Sequence, residues 1–157
     1  SRADEVRKVL NSIDDYLANS DTVPVIIGGD MNSHSHLDWT EATKDTFNHG
    51  GAVVNWTVSR AFTNAKLTDS YREIHPDPLI NPGTTWISGI DANGKFGYNK
   101  QDRIDYLYYK GSLLKAINSE SHTVPPGEIL NFKGKEIMYP SDHGFVLTTF
   151  EIKTNNN

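Results

Sequence analysis

The stretch Ile26-Ile27-Gly28-Gly29-Asp30-Met31-Asn32 decides how the rest of the sequence is interpreted. Apolar, mostly β-branched residues predict a buried strand over 23–28, and two glycines end the apolar run. Because side chains of an extended segment alternate between two sides, Asp30 and Asn32 point the same way. A carboxylate can accept a proton or bind a cation, and a carboxamide can donate to an anionic oxygen. Gly-Asp-x-Asn is equally typical of an ordinary turn, so the stretch alone leaves both interpretations open.

Length and composition restrict the classes of protein to which the chain can belong. Its 157 residues suffice for one domain with a hydrophobic core and are too few for two. A formal net charge of −5 disfavours a general nucleic-acid binder, which needs many Lys and Arg contacts with phosphates. The absence of cysteine excludes disulfides and leaves the cellular location open, a secreted or periplasmic one included. No stretch has the length of a membrane span, and the first residues lack a signal-peptide pattern.

The elements around the central strand are predicted from periodicity and capping residues. Apolar residues at helical spacing predict one amphipathic helix over 1–19. Because the strand over 23–28 is apolar throughout, we expect it to be buried on both faces, with neighbouring strands beside it. Asp38 and Glu41 have the spacing of a capping box, which predicts a short helix that ends before the glycine pair at 50–51. Further short helices are predicted over 59–65 and 68–73.

The second half of the chain is predicted to be mainly strand and loop. Strands are expected over 84–87, 103–109, 114–123 and 145–150, with a surface loop over 89–101 and a long connection over 125–135. The strand over 103–109 carries a carboxylate, Asp105, which is unfavourable inside a strand unless it is paired. We therefore expect Arg103 or a histidine as the partner of Asp105.

Three ring side chains are candidates for ligand contact. His34 and His36 form a His-x-His pair that could chelate a metal if extended, but their serine-rich loop favours contact with solvent or substrate. Trp86 follows a proline-rich loop and either packs in the core or stacks on a ligand.

Three polar motifs lie at predicted strand ends: Gly29-Asp30-Met31-Asn32, Arg103-Ile104-Asp105-Tyr106 and Ser141-Asp142-His143. In this order they resemble the motifs of the endonuclease/exonuclease/phosphatase superfamily, the DNase I-like group that includes sphingomyelinases and inositol phosphatases. The 68–72 segment resembles a further family landmark. The resemblance covers essentially the whole chain. It implies an α/β (α+β) fold that is part of a four-layer β-sandwich flanked by helices.

The same resemblance suggests that part of the domain is absent from this sequence. The family's early Asn and metal-binding Glu have no counterpart before Asp30, so residues 1–153 resemble the C-terminal portion of a single domain, with 154–157 as a tail. We expect a missing N-terminal half, or self-association, to cover an otherwise exposed sheet face. We also expect these 157 residues alone to be inactive.

The chemistry implied by the resemblance is divalent-metal-dependent phosphoester hydrolysis, by a phosphatase, phosphodiesterase or nuclease, with in-line attack of water on phosphorus. Asp30 would orient or deprotonate the water, and Asn32 would hold a phosphate oxygen. His143 would stabilise phosphoryl charge or serve as the base, with Asp105 fixing its ring. Asp142 would bind Mg²⁺ or Mn²⁺.

The sequence leaves the substrate open. The resemblance suggests a phosphorylated small molecule, a lipid headgroup or a nucleotide, with His36 and Trp86 as substrate-binding residues. The alternative function is a non-catalytic domain that binds a phosphate ligand and has lost the metal-binding half.

Overall fold

The computed structural model describes residues 1–86, 102–123 and 128–154, and the predicted loop over 89–101 lies outside them. The described residues form an α+β structure of helices and antiparallel strands, which confirms the predicted class. In chain order the elements are α1 (Arg2–Ser12), α2 (Asp14–Ala18), β1 (Val25–Asp30), α3 (Thr57–Asn64), β2 (Thr68–Asp69), α4 (Ser70–Ile74), β3 (Asp105–Lys110), β4 (Leu114–His122), β5 (Ile129–Phe132), β6 (Lys135–Met138) and β7 (Phe145–Ile152). None of the described helices is long and apolar enough to cross a membrane.

The N-terminal helical segment is interrupted, so the prediction of one helix over 1–19 is wrong in this detail. α1 begins as expected, with the Ser1 hydroxyl donating to Asp4 Oδ2 at 2.8 Å. At its other end, the Ser12 hydroxyl donates to the carbonyl oxygen of Val9 at 2.7 Å, the local competition for backbone groups that makes serine a poor helix former. Ile13 then leaves the helical conformation, and α2 starts after it.

The first sheet has the strand order β1-β3-β2, and both strand pairs are antiparallel. The core beneath it is formed mainly by apolar side chains from the helices and from β3. These are Leu17, Val58, Phe62, Leu67, Tyr106 and Tyr108. The rings of Phe62 and Tyr108 stack with their centroids 4.5 Å apart, which fixes α3 on the sheet.

The central strand is covered on one face, which corrects the expectation that it is buried on both. Val25 and Ile27 pack against the core, whereas Ile26 keeps 51% of its surface exposed. Among the described strands only β3 pairs with β1, so the outward face and one edge of β1 are uncovered. The apolar composition of this strand therefore exceeds what its described neighbours bury.

The remaining strands form two ribbons. The predicted strands over 114–123 and 145–150 are present as β4 and β7, which pair with each other. The connection predicted over 125–135 contains strand instead, because β5 and β6 form a hairpin over 129–138. The strand predicted over 84–87 is wrong for its described part: it contributes a single bridge, between Trp86 and His143.

A buried ionic network replaces the helix predicted after Asp38. The guanidinium of Arg103 donates to Asp38 Oδ2 through Nε at 2.9 Å and to Asp38 Oδ1 through Nη2 at 3.0 Å. Its Nη1 donates to Asp69 at 2.8 Å, and Arg72 Nε donates to Asp38 at 2.9 Å. Because the Asp38 carboxylate binds two guanidinium groups, it caps no helix, and residues 38–49 form a series of turns. The predicted helix is therefore wrong.

We predict that Arg103→Met lowers the free energy of unfolding by about 3–5 kcal/mol, because it removes the ion-pair partner of buried Asp69 and one of the two guanidinium groups that bind buried Asp38. The measurement is urea unfolding of the 157-residue chain. Arg7→Met is the control, because Arg7 pairs with Asp4 on the surface, where ion pairs contribute little. Equal unfolding midpoints for Arg103→Met and the unchanged chain would contradict the importance assigned to the network.

Candidate active site

The site starts from the register of β1 and β3, which places Asp30 directly opposite Asp105. The pairing extends past β1, because the backbone N–H of Met31 donates to the carbonyl of Ile104 at 2.8 Å. Like charges that face each other across an antiparallel pair are destabilising. A positive group beside these two carboxylates would offset that repulsion.

His143 supplies this group. Its Nδ1 lies 2.9 Å from Asp105 Oδ2, and one ligand atom from each of Asp30, Asp105 and His143 lies within 4.8 Å of the others. An ionised carboxylate only accepts, so Nδ1 donates in this hydrogen bond. The expected histidine partner of Asp105 is confirmed, whereas Arg103, the other candidate, is directed to Asp38 and Asp69.

The surroundings of His143 favour its charged form. Partial burial lowers the pKa of the imidazole, but the hydrogen bond and charge of Asp105, with the charges of Asp30 and Asp142, outweigh burial and raise that pKa above its ordinary value. Because the folded pKa exceeds the unfolded one, protonated His143 stabilises the fold below about pH 6.5, and this contribution is lost as the pH rises through the raised pKa.

Asp30 and Asn32 form a turn and remain beside the site at the same time. Asp30 Oδ1 accepts from the backbone N–H of Asn32 at 2.7 Å, and Asp30 Oδ2 accepts from the Asn32 side-chain amide at 2.7 Å. Asn32 has a left-handed φ of 46°, which asparagine tolerates better than most residues. The turn interpretation of this stretch is therefore correct, and the turn fixes the orientation of the Asp30 carboxylate.

Asp142 and Trp86 lie next to His143 and are joined to each other. The indole N–H of Trp86 donates to Asp142 Oδ2 at 3.1 Å, and the centroids of the Trp86 and His143 rings lie 6.1 Å apart. This hydrogen bond is the main reason why the pKa of Asp142 is lowered, so the exposed carboxylate stays ionised. The backbone N–H of His143 donates to the Ser141 hydroxyl at 3.0 Å, which holds the turn.

The structure places the two histidines of the His-x-His pair in different surroundings. His36 Nδ1 lies 2.8 Å from the Ser59 hydroxyl on α3, and burial is the main cause of its lowered pKa. His34 Nε2 lies 3.7 Å from Asp102, and the His34 ring packs against indole rings. Neither belongs to the acidic and imidazole group around His143, so contact of His36 with substrate stays a prediction.

Two polar residues of the buried network have no recognisable signal in the sequence. The pattern around Asp38 predicts a helix cap, and the strand over 103–109 suggests Arg103 only as a partner for Asp105. A short sequence pattern does not distinguish a capping carboxylate from one that binds a buried guanidinium, since both are Asp residues beside turns. Thr85, which is fully buried beside Asp105, lies in a stretch whose pattern predicts only a strand and no role in the site.

Comparison with known proteins agrees with the geometry. The sequence pattern of the Endonuclease/Exonuclease/phosphatase family matches residues 1–143. The chain belongs to this family. An uncharacterized protein of Caenorhabditis elegans is 32% identical over 164 residues, which cover 95% of this chain and 48% of that protein. The chain thus spans about half the length of the curated relative it matches.

Family membership assigns the chain to a generally hydrolytic group that acts on phosphoesters and typically depends on a divalent metal. The donors at the site fit such an ion, because carboxylate oxygens are the ligands that Mg²⁺ and Mn²⁺ prefer. Among the described residues, Asp30, Asp105 and His143 have the spacing of a metal-binding group.

We predict that Asp105→Asn lowers the pKa of His143 towards about 6.5, because the imidazole loses both the negative charge of Asp105 and its hydrogen bond to that carboxylate. Asp30→Asn should lower it less, since Asp30 acts on His143 through charge alone. The measurement is an NMR titration of the imidazole carbon protons. An unchanged pKa of His143 in Asp105→Asn would show that the contact does not control its protonation.

Proposed function

We propose that this chain forms the water-activating and phosphoryl-stabilising part of a divalent-metal-dependent phosphoester hydrolase. The observation that carries the proposal is the convergence of three side chains from separate segments of the chain. One ligand atom from each of Asp30, Asp105 and His143 lies within 4.8 Å of the others. In-line attack of water on phosphorus needs a group that accepts a proton, donors for the phosphoryl oxygens and a cation, and the site offers residues for each.

Asp30 is the group that orients and deprotonates the attacking water. Its carboxylate is exposed and held in place by two hydrogen bonds from Asn32. Because the Asp30 carboxylate is exposed, a water molecule can reach it. Because the two hydrogen bonds hold the carboxylate in one orientation, proton transfer from a positioned water is favoured. The Asn32 amide carries two N–H donors, one of which is directed at Asp30, and we assign the other to a phosphate oxygen.

His143 donates to the phosphoryl oxygens as negative charge develops on them. Its Nδ1 is engaged by Asp105, which leaves Nε2 for the substrate. The raised pKa of His143 favours the imidazolium, so a donor role is supported over the alternative role of general base. Asp105 acts through the ring that it orients.

We assign the cation to Asp142, whose charge acts on His143 together with those of Asp30 and Asp105. Asp142 is exposed and its lowered pKa keeps it ionised. A bound Mg²⁺ or Mn²⁺ would supply positive charge beside the phosphoryl group. Mg²⁺ takes six oxygen ligands in a near-octahedral arrangement, so we propose that a further acidic residue is supplied from outside residues 1–157, by an N-terminal part of the domain. The curated relative, about twice as long, supports this proposal.

The substrate class that we propose is a phosphorylated small molecule, a lipid headgroup or a nucleotide. The net charge of −5 does not support binding along a nucleic-acid backbone. Trp86 presents a half-buried indole beside His143, against which a ring or sugar of the substrate could pack. The indole N–H would keep its hydrogen bond to Asp142 at the same time.

In the complete gene product, we predict that Asp30→Asn and His143→Ala each lower kcat by about 10²–10³-fold, because each removes a group that acts in the transition state. The assay uses bis(4-nitrophenyl) phosphate and 4-nitrophenyl phosphate with saturating Mg²⁺, so that diester and monoester hydrolysis are separated. Asp14→Asn and His122→Ala are the controls, because both residues are exposed and lie outside the site.

Near-normal kcat in either site variant would contradict the assigned roles. Tight binding of phosphate by the unchanged protein without turnover of either ester would favour the non-catalytic alternative.

Residues 1–157 alone are expected to bind Mg²⁺ weakly and to turn over neither ester. The three site carboxylates, Asp30, Asp105 and Asp142, are each engaged by a hydrogen bond within the protein, which leaves few free oxygen ligands for Mg²⁺. Isothermal titration calorimetry and the two ester assays test this expectation. Tight Mg²⁺ binding with turnover would show that these residues form a full site and that no further acidic residue is needed.

A further inference from the structure

We propose that Thr85 is a positioning residue that sets the contact between Asp105 and His143. The inference rests on the proposed function for its kinetic part, whereas the geometry of the contact can be measured without activity. Thr85 is fully buried, and each of its polar groups is engaged with a segment that carries the site or flanks it.

The Thr85 hydroxyl holds the start of β3. Its oxygen accepts from the backbone N–H of Asp105 at 3.1 Å and from that of Ile104 at 3.2 Å. The neighbouring strand β2 pairs with β3 only at Tyr108 and Tyr109, so at Asp105 no β2 residue is available as a partner. The hydroxyl of Thr85 takes the place of that missing strand, and it determines where the backbone of Asp105 lies.

The backbone of the same residue holds the segment that carries His143. The carbonyl of Thr85 accepts from the N–H of Gly144, and the adjoining Trp86 forms an antiparallel bridge with His143. A Cβ at position 144 would collide with the backbone of His122, so Gly144 lies tightly between the segments of Thr85 and His122 and has little room to shift.

Thr85 is itself anchored from a third side. The N–H groups of Thr85 and Trp86 both donate to the carbonyl of Asp102, at 3.2 and 3.0 Å. One buried residue, hydrogen-bonded on three sides, therefore connects the backbone of Asp105 to that of Gly144. Because the two site residues come from separate segments, the 2.9 Å distance from Asp105 Oδ2 to His143 Nδ1 depends on this connection.

The side-chain chemistry at position 85 separates a positioning role from a merely structural one. Valine has nearly the shape of threonine but no oxygen, so Thr85→Val fills the same space and leaves two buried N–H groups unsatisfied. Serine keeps the hydroxyl and loses a methyl group, so Thr85→Ser removes packing and keeps the acceptor. If Thr85 has only a structural role, the two variants should affect the Asp105 to His143 contact equally. If it positions the site, only Thr85→Val should disturb that contact.

The test compares Thr85→Val with Thr85→Ser in the complete gene product. Thr148→Val is the matched control, because the Thr148 hydroxyl also bridges two groups, those of Ser70 and Ser119, at 2.8 Å each. We measure kcat and KM for the two nitrophenyl esters, amide hydrogen exchange at Asp105 and Gly144, and the low-field NMR signal of the His143 Nδ1 proton.

We expect Thr85→Val to lower kcat by about 10–10²-fold with little change in KM, because misplacement by about 1 Å is sufficient for such a loss. The low-field signal should weaken, and exchange at the two amides should accelerate. Thr85→Ser and Thr148→Val should keep kcat within a few-fold and keep the signal. If Thr85→Val does not fold, Thr85→Ala replaces it with the same expected order.

A normal low-field signal and normal amide exchange in Thr85→Val would overturn the proposal, as would equal losses in Thr85→Val and Thr85→Ser. If the unchanged protein hydrolyses neither ester, the proposed function fails, and the NMR signal and amide exchange still decide the role of Thr85.

Discussion

The constraint on which the site depends is the antiparallel register that sets Asp30 opposite Asp105. Two facing carboxylates oppose this register electrostatically, and offsetting their repulsion requires a positive group beside them. The imidazole of His143 meets this requirement through its hydrogen bond with Asp105, and a bound cation would meet it further. The same charges that cost stability in the sheet give the site its chemistry.

The buried network around Arg103 supports this register from within the core. Arg103 stands two residues before Asp105, and its guanidinium is fixed by Asp38 and Asp69 in the interior. The loop that covers it passes close enough that a Cβ at Gly83 would come 2.9 Å from the Arg103 side chain. One short motif thus anchors its arginine in the core and presents its aspartate to the site, which limits the freedom of the backbone between them.

The sequence predicted what local patterns determine and missed what tertiary contacts decide. The class, the strands over 114–123 and 145–150 and the Asp105 to His143 contact were predicted, because alternation, motif order and the cost of an unpaired carboxylate all constrain them. The helix after Asp38 was wrong, because its carboxylate binds buried guanidinium groups. Burial of the strand over 23–28 was overestimated, because apolar composition does not show which faces the described neighbours cover.

The most direct test of the central claim is paramagnetic broadening of NMR signals by Mn²⁺, titrated into the chain at sub-stoichiometric amounts. Broadening detects even weak binding, so it does not require a full set of ligands. The account predicts selective loss of signals at Asp30, Asn32, Asp105, Asp142 and His143, and its abolition by Asp30→Asn combined with Asp142→Asn. Uniform broadening, or selective loss at acidic residues elsewhere on the surface, would contradict the assignment of this site.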